Sequence, residues 1–361
     1  MRVTAEGNNA CPKITFQRHI LGLAMRSQRL HNALPAEQLP LTLEELPIPQ
    51  PTGTQVRLRV ATCGVCHTDL HIAEGDIRPP GLPLTLGHQA VGFVDAIGDQ
   101  VRGVAVGQRV GVPWLHKACG VCAFCRAGSE NLCEQATFTG FNVDGGFAEF
   151  MLAEGSYVLP IPETISSQEA APLLCAGIVG FRSLRLADVH PGERLGLFGF
   201  GASAHLSIQV ARHWGCEVFV FTRSQAHRRH AEELGAAWVG AAEDSPPRPL
   251  DRGVIFAPAG QLVPLALGKL RPGGTLALNA IHMGDIPPFP YRLIYGERTL
   301  RSVANATYRD GVEFLELAAS IPIKATVNLY PLEAANQALV DLKHSRISGE
   351  AVLEVANGKD Q

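Results

Sequence analysis

The chain has 361 residues, 46% of them apolar and 18% charged, with 37 Gly and 25 Pro scattered without a period. That length suffices for about two domains with a core each, and the composition excludes a disordered, collagenous or coiled-coil chain. With 31 basic and 34 acidic side chains the formal charge is -3, so the electrostatic footprint of a nucleic-acid binder is missing. The longest nearly apolar stretch, residues 170–181, contains a proline and falls short of the roughly 20 residues a spanning helix needs. Neither nucleic acid nor a membrane is expected as a partner. The N-terminus lacks a signal-peptide pattern, which points to the cytoplasm.

Residues 1–24 show no clear period and are expected to be an extension without regular structure, with order beginning near Met25. Alternation at Leu41 and Leu43, then at Val56, Leu58 and Val60, is broken by the Pro-rich run from Pro47 to Pro51 and predicts short strands joined by turns. Residues 91–112 continue that pattern with five glycines, the texture of a compact β barrel. After about Cys175 the texture changes to strand, helix, strand. Strands are predicted at 195–198, 217–221, 254–257 and 275–278, with helices at 202–214 and 224–234, and Arg271-Pro272-Gly273-Gly274 as a turn. Repeated units of this kind build a doubly wound parallel sheet. A helix at 311–320, a strand at 324–329, a helix at 332–344 and a strand at 351–355 close the chain.

The chain has nine cysteines, six of them in two tight groups. In a reducing compartment such groups mean metal or redox chemistry. Cys119, Cys122, Cys125 and Cys133 lie in a segment of loop formers. Four soft ligands with no open position suit a closed structural zinc site, with an iron-sulfur cluster and unrelated buried cysteines as the other readings. A second constellation is scattered over Cys66, His67, Thr68, Asp69 and His71, then His88 and Gln89, then Cys175. No spacing rule joins these residues. Cys63 and Cys66 also fit a thioredoxin-like pair, although the flanking strand and helix are not evident from sequence.

Gly199-Phe200-Gly201-Ala202-Ser203-Ala204 follows an apolar strand and opens a helix, which is the dinucleotide fingerprint with Ala204 in its third place. Where an NAD-binding chain usually offers an acid to the ribose, this chain has Thr222, Arg223 and Ser224. A hydroxyl and a guanidinium fit a 2'-phosphate, so NADP(H) is favoured and NAD(H) possible; the other reading turns Arg223 into solvent.

At these residues the chain resembles the zinc-containing alcohol dehydrogenases of the medium-chain dehydrogenase/reductase superfamily, closest to bacterial members near the cinnamyl alcohol dehydrogenases. The resemblance spans about residues 41–355. It rests on Gly-Val-Cys-His-Thr-Asp-Leu at 64–70, Gly-His-Gln at 87–89, the four-cysteine lobe, Asp-Gly-Gly-Phe-Ala-Glu at 144–149, Leu-Cys-Ala-Gly at 174–177 and the glycine turn. It implies an α/β protein with a Rossmann domain at 177–308 inserted into a β-rich GroES-like catalytic domain, 25–176 plus 309–361, whose zinc lobe spans about 115–135. It implies two zinc ions per chain, one held by Cys66, His88 and Cys175 and one by the lobe.

The resemblance further implies that Thr68 takes the alcohol proton, that His71 passes it toward solvent and that Asp69 braces His88. It also implies that His67 stands against the coenzyme pyrophosphate and that Trp114 narrows the substrate pocket. The expected substrate is a primary alcohol, aliphatic, allylic or aromatic, or its aldehyde, and the expected assembly is a homo-oligomer, dimer or tetramer. Three departures matter: Gln89 replaces a frequent Glu, Ala204 a Gly, and Glu350 stands where many relatives carry a phosphate-binding Arg. A polyol or quinone oxidoreductase of the same superfamily, or a non-catalytic NAD(P)-binding zinc protein, are the alternatives.

Overall fold

A computed structural model of the chain describes residues 24–281, 283–321, 323–347 and 349–355. The expected N-terminal extension lies outside the described residues, except that Ala24 already opens the strand Ala24–Leu30. Two large sheets organise the rest. The first is mainly antiparallel and has seven strands, with Gln55–Val65 at its centre between Ala90–Ile97 and Glu350–Glu354. The last strand therefore closes a layer that the first part of the chain began, pairing Ala351 with Val65 and Leu353 with Cys63. Alternating apolar side chains explain the arrangement: Val56, Leu58 and Val60 point into one core together with Leu86, Phe147 and Leu353.

The second sheet has six strands, all parallel, in the order Trp238–Gly240, Glu217–Phe221, Arg194–Phe198, Leu250–Ile255, Leu270–Leu278, Thr299–Ser302. Numbered along the chain this is 3-2-1-4-5-6, the doubly wound order in which the crevice lies beyond the carboxyl ends of the first and fourth strands. Arg194–Phe198 is apolar and buried after its first residue, as a sheet covered on both faces requires, and Leu250–Ile255 is buried along its whole length, its Asp251 and Arg252 being paired with Arg194 and Glu193. Arg271-Pro272-Gly273-Gly274, predicted as a turn, lies inside the strand Leu270–Leu278, and Gly273 supplies the positive φ that bends it. The edge strand Thr299–Ser302 is short and exposed and escaped the sequence pattern.

The chain leaves the first sheet through Ser167–Pro172, Leu173–Gly177 and Ile178–Leu186, an almost continuous helical run whose middle turn is π-helical. It returns through residues 303–307 and the helix Tyr308–Ser320. A small hairpin of Leu115–Lys117 and Thr137–Phe138 closes the base of the four-cysteine loop. Among the described residues no helix is long and apolar enough to cross a membrane.

Candidate active site

The strand Gln55–Val65 runs directly into the helix His67–Glu74, so a strand and a helix do flank Cys63 and Cys66. They are nevertheless not a redox pair. Cys63 is fully buried, with its Sγ donating to the Gly64 carbonyl, whereas Cys66 caps the helix and accepts the Thr68 N–H on its Sγ. A helix N-terminus favours negative charge, which suits a thiolate ligand there.

Asp69 fixes this corner. It is fully buried; its Oδ2 accepts the Cys66 N–H at 3.0 Å, while its Oδ1 accepts the Gly87 N–H at 3.1 Å and faces His88 Nδ1 at 3.2 Å. That bond places the Nδ1 proton toward Asp69 and leaves Nε2 as the free donor of electrons. His88 follows Gly87, whose φ of +97° no β-carbon would tolerate, because one would come within 2.5 Å of Phe147. The ring of His88 is thereby turned so that Nε2 lies 3.2 Å from Cys66 Sγ.

Cys175 joins them from the π-helical turn, and the three ligand atoms lie within 4.8 Å of one another. A one-residue widening of a helix is a frequent way to aim a functional side chain inward. The hydrogen bond from Cys175 and the charge of His88 outweigh burial and hold the Cys66 thiol well below its ordinary range. That same bond, with burial, pushes Cys175 well above it. Burial disfavours a charged His88, but the neighbouring Asp69 and Cys66 win and raise it. The cluster thus shares protons as a unit, and a cation entering it must displace them.

The four-cysteine lobe has a different geometry. Sγ atoms of Cys119 and Cys125 are 3.8 Å apart and those of Cys122 and Cys125 are 3.5 Å apart. Zinc–sulfur bonds of about 2.3 Å in a tetrahedron put ligand sulfurs roughly 3.8 Å apart, so the four thiols already outline a zinc shell. Backbone N–H groups of Val121 and Cys122 hold Cys119 down to about 6, and desolvation with the Cys122 hydrogen bond pushes Cys125 up to about 12.

A cavity opens beside the three-ligand cluster, walled by Trp114, Leu174, Cys175, Ile178, Asn305 and Thr307. Trp114 stands edge-on to His88 at 5.0 Å and stacks on Phe138 at 5.1 Å, so its indole is held rigidly against the imidazole it borders.

The first sheet and part of its surroundings match the family model of the alcohol dehydrogenase GroES-like domain over residues 52–163, and residues 204–320 match that of the zinc-binding dehydrogenase. A probable alcohol dehydrogenase of Mycobacterium tuberculosis is 45% identical over 88% of this chain and 94% of its own length. The chain belongs to the zinc-dependent alcohol dehydrogenases. An alcohol dehydrogenase of Geobacillus stearothermophilus is 34% identical over 88% of this chain and 96% of its own. The fold matches that of a cinnamyl alcohol dehydrogenase from Sorghum bicolor with a TM-score of 0.84 at 24% identity, over 94% of this chain and 99% of that one.

As a dehydrogenase the protein needs a coenzyme cradle, and the glycine turn fits one. Gly199 takes a φ of +91°, and a β-carbon there would press on Ala257 at 3.0 Å. Above Gly201 nothing lies within 4 Å, while Ala204 is fully buried against the sheet. Ala202 and Ser203 open the helix Ala202–His213, presenting its N-terminus to that open space. At the end of Glu217–Phe221, Thr222 is buried, Arg223 is exposed, and the Ser224 hydroxyl caps the next helix by accepting the His227 N–H.

The relay candidates Thr68 and His71 share the helix His67–Glu74, Thr68 buried beside Cys66 and His71 bonded to Asp76 at 2.8 Å. His67 is exposed at the first turn of that helix. Glu350 departs from the phosphate-binding place expected of its position: it is buried and, one residue before Ala351, lies beside Cys66 across the sheet. Its carboxylate is pushed well above the usual range by burial and by Cys66. Gln89 is also buried, packed over Gly64. Sequence reasoning singled out residues 174–177 for Cys175, though not the π-helical form of that turn, and it did not single out Asn305 or Phe138 as parts of the site; these two join it through contacts with residues distant in the chain, and no local motif marks them.

Proposed function

We propose that the dehydrogenase oxidises primary alcohols, aliphatic, allylic or aromatic, and reduces the corresponding aldehydes, with two zinc ions per chain and a preference for NADP(H) over NAD(H). The observation that carries this reading is the convergence of Cys66, His88 and Cys175 on one point, beside a pocket walled by aromatic and aliphatic side chains. Two thiolates and one imidazole leave the fourth zinc position to substrate, and the four-cysteine lobe offers a closed shell. When bound, zinc supplies a Lewis acid that lowers the alcohol pKa, and the nicotinamide supplies the hydride acceptor.

The chain's own residues do the rest. Trp114 and Leu174 exclude water and orient the organic group. Thr68 Oγ1 accepts the proton of the hydroxyl, and His71 moves it toward solvent. Asp69 keeps His88 in the tautomer that offers Nε2. Gly199, Gly201, Ala202, Ser203 and Ala204 seat the pyrophosphate, with His67 facing it, and Thr222, Arg223 and Ser224 meet the 2'-phosphate. The catalytic domain comprises 25–176 and 309–361, and the Rossmann domain 177–308. A homo-oligomer is supported by Tyr291 and Tyr295, 73% and 68% exposed, which shortly precede in sequence the edge strand Thr299–Ser302, paired only on its Leu270–Leu278 side.

Initial rates on a panel of aliphatic and aromatic alcohols and aldehydes with each coenzyme test the reading. Activity confined to secondary alcohols or quinones would overturn the substrate class. For the coenzyme, a charge-assisted contact from Arg223 predicts a preference of about ten- to hundredfold in kcat/KM, lost in Arg223→Ala. An NAD(H) preference in the wild type would overturn that part.

A further inference from the structure

The four-cysteine lobe does more than close on itself. Residues 303–307, which bring the chain back from the parallel sheet, carry Asn305, Ala306 and Thr307 into the wall of the cavity beside Cys175 and Trp114. This return is gripped from outside by two residues of the lobe, both within the turn Glu130–Leu132 that leads into Cys133. Asn131 Nδ2 donates to the Ala304 carbonyl at 2.6 Å, and Glu130 Oε1 accepts the Tyr308 N–H at 2.8 Å. That N–H is the first of the helix Tyr308–Ser320, one of the donors a helix cannot satisfy within itself. Asn131 is 7% exposed, so its bond is shielded from water.

The same contact reaches the outgoing crossing. Arg182, on the helix that follows the Cys175 turn, donates to Asp310 Oδ2 at 2.5 Å and to Asn131 Oδ1 at 3.5 Å. Asp310 in turn accepts the Thr307 hydroxyl at 2.7 Å, completing the capping box of the return helix. Between these fixed points Asn305 sits at a φ of 57° with its Nδ2 buried and unpartnered. Residues other than glycine adopt that region sparingly, Asn more readily than most, and are held there by their surroundings. Glu130 and Asn131 are such surroundings.

We propose that the four-cysteine lobe is a clamp on the return crossing: by presenting Glu130 and Asn131 to residues 304–308 it fixes the position of Asn305, Ala306 and Thr307 in the alcohol pocket. Glu130 and Asn131 are then positioning residues, acting on substrate binding through the backbone they hold. The inference rests on the reading that the cavity beside Cys175 takes the alcohol.

The test uses the zinc-loaded enzyme as Glu130→Ala, Glu130→Gln and Asn131→Ala, with zinc content, steady-state constants and amide hydrogen exchange at 303–310 measured for each. In Glu130→Ala and Asn131→Ala the alcohol KM should rise about tenfold with kcat changed much less, as loss of one hydrogen bond to a charged or shielded group implies. Exchange at Tyr308 and the preceding segment should quicken while both zinc ions stay bound. Glu130→Gln keeps an acceptor for the Tyr308 N–H and should restore the wild-type KM. An unchanged KM and unchanged exchange in the Ala variants would overturn the clamp, as would a Gln variant no better than Ala. Should the Ala variants fail to fold, Cys119→Ser, which should lose the lobe metal and keep the other, reads the same coupling. Faster exchange at 303–308 then supports the clamp and unchanged exchange overturns it. The reading of the pocket fails separately, by absence of alcohol turnover in the wild type.

Discussion

The two metal-type clusters are built on opposite plans. The lobe takes its four thiols from residues 119–133, on one loop pinned by a short hairpin, with Cys119, Cys122 and Cys125 only partly buried. The cluster of Cys66, His88 and Cys175 draws on a helix cap, the turn before Ala90–Ile97 and a π-helical turn, and buries its histidine completely. One loop can preorganise four ligands by itself, because few backbone torsions separate them. Three elements must be assembled by the whole core before the second cluster exists. A local, closed shell is suited to holding structure, and a remote, three-sided one to leaving a face open for chemistry.

The comparison breaks most visibly on removal of one thiol from each cluster. Cys66→Ala should lower kcat by about 10⁴-fold with the circular dichroism spectrum unchanged, since a Lewis acid contributes several kcal/mol to the barrier. Cys119→Ser should instead lower the unfolding temperature and the zinc content by one ion, leaving kcat within a few-fold. Equal loss of kcat in both variants would erase the distinction.

A next-largest effect concerns the proton path proposed through Thr68 and His71 beside the buried cluster. Thr68→Ala should cost roughly 10² to 10³-fold in kcat and His71→Ala less, because water replaces a distal relay more readily than the group on the substrate oxygen. Solvent isotope effects on both variants check the order.

Asp69→Asn sharpens the contrast further. With the acceptor for Cys66 N–H, Gly87 N–H and His88 Nδ1 altered, zinc affinity at the buried cluster should fall about 10 to 100-fold. The lobe should keep its affinity, so a competitive chelator titration should split into two phases. A single unshifted phase would deny Asp69 its bracing role.

The smallest effect is a change of slope with pH at the lobe. Cys119, held at about 6, is already a thiolate above that pH, whereas Cys125, at about 12, carries a proton throughout. Metal binding must expel the Cys125 proton at every physiological pH, so this thiol by itself contributes about a tenfold fall in affinity per unit of acidification. Below about pH 6 the Cys119 proton must leave as well, and the slope should steepen there. Zinc affinity of the lobe measured from pH 8 to pH 5 reads the break.

Much of this protein was legible without coordinates, for reasons that are local. The apolar strand, two glycines and an opening helix at 195–204 define a dinucleotide turn within ten residues, and Glu217–Phe221 emerged with the bounds it has in the structure. The four cysteines of 119–133 announce a metal shell by spacing alone. The buried cluster had no such rule: spacing left Cys66, His88 and Cys175 unconnected, and only resemblance to a family joined them before the fold did. Tertiary structure decided that Cys63 faces the core while Cys66 faces His88, that Glu350 is buried beside the cluster, and that Glu130 and Asn131 meet residues 304–308. These contacts join positions 22 to more than 280 residues apart. A one-dimensional pattern records which residues share a turn of helix or a face of a strand. It is silent on which turn meets which, because that is settled by how two sheets and the helical run between them bury their apolar faces together.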